Sequence, residues 1–181
     1  YANESGALNE SFSDIFGISV SSFANNNTLN WSMGEDATPN GLGIRSMSNP
    51  NAFQDPDTYL GTNYYTGTQD NGGVHTNSGV QNHWYYRLTV GGTGTNDIGN
   101  VFNVTGLGIT NASKIAFRNL TVYLTPNVDH QDARFYAIQS AIDLFGPCTP
   151  EVIATTNAWH AVGVGAVFSY TVTAGFSTTF Q

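Results

Sequence analysis

Apolar residues recur at helical spacing from about Gly6 to Phe23. Leu8, Phe12, Ile15, Phe16 and Phe23 fall on one side of a helix turning 100° per residue. Glu10, Asp14, Gly17 and Ser21, spaced by four, three and four, form a stripe on the opposite side. Residues 24–73 keep no period and are rich in Asn, Gly, Pro and Asp. They are expected to form a long ordered loop with short helical turns. Its anchors would be Trp31, Met33, Leu42, Ile44, Met47, Phe53, Tyr59, Leu60, Tyr64 and Tyr65. A loop of that length in a compact domain is usually functional.

A second helix is expected over about Val74–Val90, with Val80, Trp84 and Leu88 four apart, and GGTGTNDIGN breaks it. VFNVTGLGIT reads as an extended or irregular connection. Thr110 or Asn111 can cap a third helix reaching about Leu124, before Thr125-Pro126. Asp129 can cap a fourth, stopped at Gly146-Pro147. Thr149-Pro150-Glu151 signals the start of a fifth, to about Val162. From Gly165 the chain turns β-branched and aromatic, like a linker or the first strand of another module. The expected fold is mainly α.

Composition narrows the chemistry. The chain has 181 residues, 40% apolar and 13% aromatic, enough for one domain with its own core. Only 10% are charged, and the net charge is -8. That balance argues against nucleic acid or an anionic membrane as partner, since both require a positive footprint. No stretch approaches the about 20 apolar residues that span a bilayer. The single cysteine, Cys148, cannot form an internal disulfide and reads as a small filler near a turn. Low Lys content and an Asn/Ser/Thr-rich surface lean towards a secreted protein. The chain starts at the edge of a helical pattern, as a piece of a longer protein would.

Against that background the stripe bearing Glu10 and Asp14 draws interest. Acids on a helix usually face water. Here the rest of the stripe is Gly17 and Ser21, and no Lys or Arg precedes Arg45. Acids without basic partners invite a metal. His75 follows a Gly-Gly turn, with Asp70 five residues before it to orient the ring. His83, His130 and His160 lack such a setting and read as surface or packing residues. Arg45, among Gly, Ile, Ser and Met, is either a surface residue or a fork of donors for a carbonyl or carboxylate. Alone, these residues make an incomplete site, with no H-E-x-x-H, C-x-x-C or G-x-S-x-G.

The segments NESGALNESFSDIFG, GEDATPNGLGIRSMSNP, TGTQDNGGVHTNSGVQN and FYAIQSAIDLFG…EVIATTNAWHAVGV closely resemble the C-terminal half of the thermolysin-like zinc metallopeptidases. The likeness runs in order over about residues 1–164. It implies a helical bundle that forms one wall of a peptide-binding cleft, with residues 165–181 outside it. It implies that Glu10 is the third protein ligand to zinc and that Asp14 supports a zinc-binding His. It implies that His75, held by Asp70, stabilises the oxyanion, and that Tyr1 reaches it too. Arg45 would bind the substrate carbonyl beside the cleaved bond. Met33 and Ile44 would line the pocket for the residue after it. Two zinc-binding His and the general base would come from an H-E-x-x-H helix of a missing N-terminal domain, so the chain alone is expected to be inactive.

There are departures. Where the family gathers acids for two calcium ions, Ser21, Asn30 and Ser32 stand instead, and only Glu35 is kept. Calcium affinity follows ligand charge, so binding there should be reduced or lost. The loop around Thr38–Gly43 is also short. The competing expectation is a non-catalytic remnant of the same fold that binds peptides or inhibits a peptidase.

Overall fold

The computed structural model describes residues 1–26 and 28–169. Among them are five α-helices: α1 (Asn3–Ala24), α2 (Asp70–Val90), α3 (Gly108–Arg118), α4 (His130–Phe145) and α5 (Pro150–Ala161). Two antiparallel pairs accompany them, β1 (Ser32–Met33) with β2 (Arg45–Ser46) and β3 (Gly91–Thr95) with β4 (Val101–Thr105). No described helix is long and apolar enough to cross a membrane.

The core forms where α1 and α2 lie against each other and against α3 and α5. Leu8, Phe12, Ile15 and Ile18 of α1 are buried. Phe23, expected on that face, is 89% exposed, because the last turn of α1 runs past the bundle. The two helices meet closely at Gly6, where an added Cβ would lie 2.5 Å from Val74 Cγ1. On α2, Val80, Trp84 and Leu88 are fully buried, and Trp84 stacks on Trp159 of α5 with centroids 4.7 Å apart.

Helix α2 also buries polar side chains, and they fasten the long loop. Asn77 accepts from the Tyr65 N–H and donates to the Tyr65 carbonyl, both at 2.9 Å. His83 donates Nδ1–H to the Met47 carbonyl at 2.8 Å, while its Nε2 accepts from Arg87 Nε at 3.1 Å. Of the expected anchors, Met47 is fully buried and Trp31, Met33, Tyr59 and Tyr64 pack on the core. Leu42, Ile44 and Leu60 are exposed.

Burial drives the His83 pKa down to about 4, with the Met47 carbonyl opposing and Arg87 adding to the fall. Folding therefore favours the neutral ring. The stability it supports is present above the ordinary value of 6.5 and is lost as pH falls towards about 4. Asp55 runs the other way. Burial raises its carboxyl to about 6, so its contribution is lost as pH rises from 3.8 to about 6. In urea titrations, stability of the His83→Gln variant should fall less than that of the parent between pH 6.5 and 4. Equal slopes would remove His83 as the cause.

The stretch after α2 is a hairpin rather than a plain break. Gly91 pairs with Thr105 and Thr95 with Val101, and Phe102 and Val104 point inward at period two. Helix α3 begins at Gly108, ahead of the expected Thr110 or Asn111, and Leu107 supplies no side-chain cap. It continues into a wide π turn, Asn119–Tyr123, closed by Leu124 N–H on the Asn119 carbonyl at 3.1 Å. Helix α4 starts at a capping box: Asp132 N–H donates to Asp129 Oδ1 and Asp129 N–H to Asp132 Oδ2. Thr149 caps α5, with Pro150 in its first turn. Cys148 is exposed, in a left-handed turn with φ 58°, so it fills no interior space.

Of the two readings the sequence leaves for His130, surface or packing, the structure shows packing. Its ring is fully buried, and Nδ1–H donates to Glu4 Oε2 at 2.9 Å. The His130 backbone N–H reaches the same oxygen, and Tyr59 OH donates to Oε1 at 2.7 Å. Burial would raise the Glu4 carboxyl, but the His130 and Tyr59 hydrogen bonds outweigh it and set the pKa at about 2. The first turn of α1 is thereby fastened to the start of α4.

Candidate active site

Helix α1 presents Glu10 on the side away from its buried face. Tyr1 OH donates to Glu10 Oε1. That hydrogen bond, with burial and the nearby carboxylate charges, pushes the Tyr1 pKa up to about 12, so the phenol remains a donor. Glu10 Oε2 faces His75 Nε2 at 3.4 Å. Glu10 and His75 thus meet from two helices, with side chains 22% and 53% exposed.

The entry into α2 aims His75. Asp70, Asn71, Gly72 and Gly73 all have positive φ, 52°, 51°, 88° and 77°. Only Gly adopts that backbone freely, and Asn tolerates it. A Cβ at Gly73 would also lie 2.5 Å from Tyr65 Cδ1. The coiled turn brings Asp70 back onto His75: the His75 backbone N–H donates to Oδ2 at 2.9 Å, and ring Nδ1–H donates to Oδ1 at 2.7 Å. These bonds, the backbone one first, lower the Asp70 pKa. The ring orientation is fixed, and Nε2 is left facing the open side.

Asp14 lies one turn beyond Glu10 and is not a free acid. Arg45 on β2 binds it through Nε to Oδ2 and Nη2 to Oδ1, each at 2.9 Å. The expectation that both acids lack a basic partner is therefore corrected for Asp14. The partner comes from 31 residues away, and the planar fork of Arg matches the carboxylate. Arg45 is only 18% exposed, and the pair leaves Nη1 as its remaining nitrogen. Asn82 Nδ2 adds a third bond to Asp14 at 2.8 Å, and Ser11 donates to Asn82 Oδ1. The sequence reading missed Asn82 and Ser11; their signal is polar residues inside otherwise buried helical faces. Glu4 and Asp55 also escaped it.

Met33 and Ile44 are neighbours across the β1–β2 connection, where Ile44 N–H donates to the Met33 carbonyl at 2.8 Å. Met33 is half-buried, and Ile44 is 54% exposed. Beside Met33 a cavity of about 1000 Å³ opens, bordered by Asp14, Gly17, Ser21, Asn30 and Glu35. The small residues of the α1 stripe are thus a floor for this cavity.

Among the described residues no group of three or more His, Cys, Asp or Glu is arranged to hold a metal ion. For zinc, Glu10 fits as a single anionic donor, since Arg45 is taken by Asp14 and His75 is the one basic side chain paired with it. Calcium fits poorly. Glu35 accepts from the Asn30 amide, Asn25 donates to Ser21 Oγ, and Asp14 is neutralised by Arg45. Amide and hydroxyl hydrogen bonds stand where a doubly charged ion requires several carboxylates.

On this side of the helical bundle Glu10 therefore faces a His whose ring Asp70 orients. The chain belongs to the thermolysin metallopeptidase family: the model of its α-helical domain matches residues 1–164. Bacillolysin from Bacillus caldolyticus is 47% identical over 167 residues, covering 91% of this chain and 29% of that protein. Thermolysin from Alicyclobacillus acidocaldarius subsp. acidocaldarius is 46% identical with the same coverage. The chain therefore spans under a third of those relatives. Among solved structures, the precursor of protealysin, a metalloproteinase from Serratia proteamaculans, superposes with a TM-score of 0.72 at 28% identity, over 91% of this chain and 51% of that one.

Proposed function

We propose that this chain is the substrate-cleft half of a secreted zinc metalloendopeptidase, and that Glu10 is one of its zinc ligands. The observation that carries the reading is the meeting of Glu10 with His75 and Tyr1, with Asp70 locking the His75 ring. Zinc, when bound, supplies an activated water and polarises the scissile carbonyl.

The residues of this chain do the rest of their part by position. His75, its Nδ1–H held by Asp70, turns the Nε2 side of its ring towards the oxyanion that forms on the substrate. Tyr1 holds its one O–H on Glu10 Oε1 and offers it to the oxyanion once that carboxylate turns to the metal. The His75 ring is oriented before the charge appears, which is where such a donor stabilises most. Arg45, held flat by Asp14, offers Nη1 to a substrate carbonyl. Asp14 and Asn82 keep this arrangement rigid, and Asp14 supports a zinc-binding His from the rest of the protein. Met33 and Ile44 contribute to a pocket for a bulky apolar residue after the cleaved bond.

On this reading two metal-binding His and the general base lie in a partner domain of the same protein. Glu10 alone is one ligand of three, so residues 1–181 by themselves hold zinc weakly and cleave nothing. The peptidase-like part is residues 1–164, and residues 165–181 are a linker or the start of a following β module.

In the full-length protein, His75→Ala should lower kcat on a peptide substrate by roughly 10²–10³-fold, the size expected for an oxyanion donor, with KM little changed. A kcat within about twofold of the parent would sink the assignment.

A further inference from the structure

The family model ends at residue 164, yet residues 165–169 stay against the helices. After α5 it turns through Gly163 and Gly165, with φ 82° and 72°, and lays residues 166–168 along the groove between α4 and α5. Three helix side chains bind its backbone. His160 Nδ1–H donates to the Gly165 carbonyl at 3.0 Å. Arg134 Nη2 donates to the Ala166 carbonyl at 2.9 Å, and the Phe168 N–H donates to Asn157 Oδ1 at 2.9 Å. Val167 points outward, half exposed, and Phe168 packs inward against the core. Phe168 is thus the one side chain of residues 165–169 that is drawn inward, and the rest of the stretch is held through its backbone. Gly165 is needed for the approach, since an added Cβ would lie 2.5 Å from Arg134 Nε.

The groove holds more room than these residues fill. A cavity of about 410 Å³ remains beside Phe168, bordered by Ile138, Ile142, Val152 and Thr156. Arg134 Nε is buried there without a hydrogen-bond partner, and burial lowers the Arg134 pKa.

We propose that the α4–α5 groove is a dock for an extended peptide segment, and that its occupant is this chain's own stretch of residues 165–169. Recognition is through backbone, with two donors for carbonyls and one acceptor for an N–H, and through one apolar slot that takes Phe168. The folded unit then runs through Phe168 and passes any following module outward from a fixed point on α4 and α5. This inference does not depend on the peptidase reading.

Hydrogen–deuterium exchange on the intact protein tests it. The Phe168 amide should exchange more slowly than an unstructured peptide amide, independently of protein concentration. Asn157→Ala should speed it roughly five- to tenfold, the loss of one hydrogen bond, while amides of α4 and α5 hold. Phe168→Ala, which leaves the helices untouched, should release the same amide. Fast exchange in the parent, or no change in either variant, overturns the dock. Protection that grows with protein concentration assigns the groove to a second copy and overturns the stated occupant.

Discussion

Full-length protein carrying Glu10→Gln should fold normally, lose its zinc and lose peptidase activity. Glu10 lies in the interior of α1, where Gln is as good a helix former as Glu. Its carboxylate is partly exposed and makes no contact with the buried face, so stability should shift by no more than about 0.5 kcal/mol. Tyr1 can still donate to the amide oxygen. What disappears is the negative charge, and a neutral amide is a poor ligand for zinc. Loss of metal removes several kcal/mol of transition-state stabilisation, roughly 10³-fold or more in rate. Metal analysis of the purified variant alongside a peptide-cleavage assay reads both. Full zinc occupancy with parental activity would falsify the ligand assignment. Loss of activity with full zinc would move Glu10 from metal binding to another role.

The largest effect on stability is expected at Trp84. It is fully buried and stacked on Trp159, joining α2 to α5. Trp84→Ala removes the transfer energy of a large ring and leaves a cavity, together about 3–5 kcal/mol. That is a large share of a total of about 5–15 kcal/mol for an ordinary domain. Each kcal/mol should lower the midpoint of thermal unfolding by about 2–4 °C for a domain of this size. Calorimetry should therefore show a fall of roughly 6–20 °C. Phe23→Ala is the control, because the ring is almost wholly in water and its loss should be nearly neutral. Equal shifts for the two variants would mean that the α2–α5 stack is not where the stability lies.

Local features were legible in the sequence and long-range ones were not. Helices α4 and α5 announce themselves by Asp129, by Gly146 and by Thr149-Pro150, all acting within a turn. The Asp70–His75 bond was legible for the same reason, since five residues and two glycines contain it. Asp14–Arg45 spans 31 residues and Glu4–His130 spans 126, so no spacing rule connects them. The β3–β4 hairpin hid because GGTGT carries no apolar alternation, and its register is set by Phe102 and Val104 on the other strand. Phe23 fits the α1 period but lies where the neighbouring helices have ended. The family resemblance named the candidate site residues as a set. Which of them touch is a matter of tertiary packing.

The polar side chains buried on α2 have a consequence for anyone redesigning this domain. Asn77 and His83 look like errors in a core helix, and substituting leucine would raise both helix propensity and apolar burial. Yet those two residues hold Tyr65 and Met47, and they work beside the Arg45–Asp14 and Tyr59–Glu4 bonds in fastening the 28–65 segment that bears Met33 and Ile44 to the bundle. A leucine-filled α2 would make a sturdier rod and a looser loop. Selection for thermal stability alone would reward that trade, and only a screen that also reads the placement of Met33, Ile44 and Arg45 would detect it.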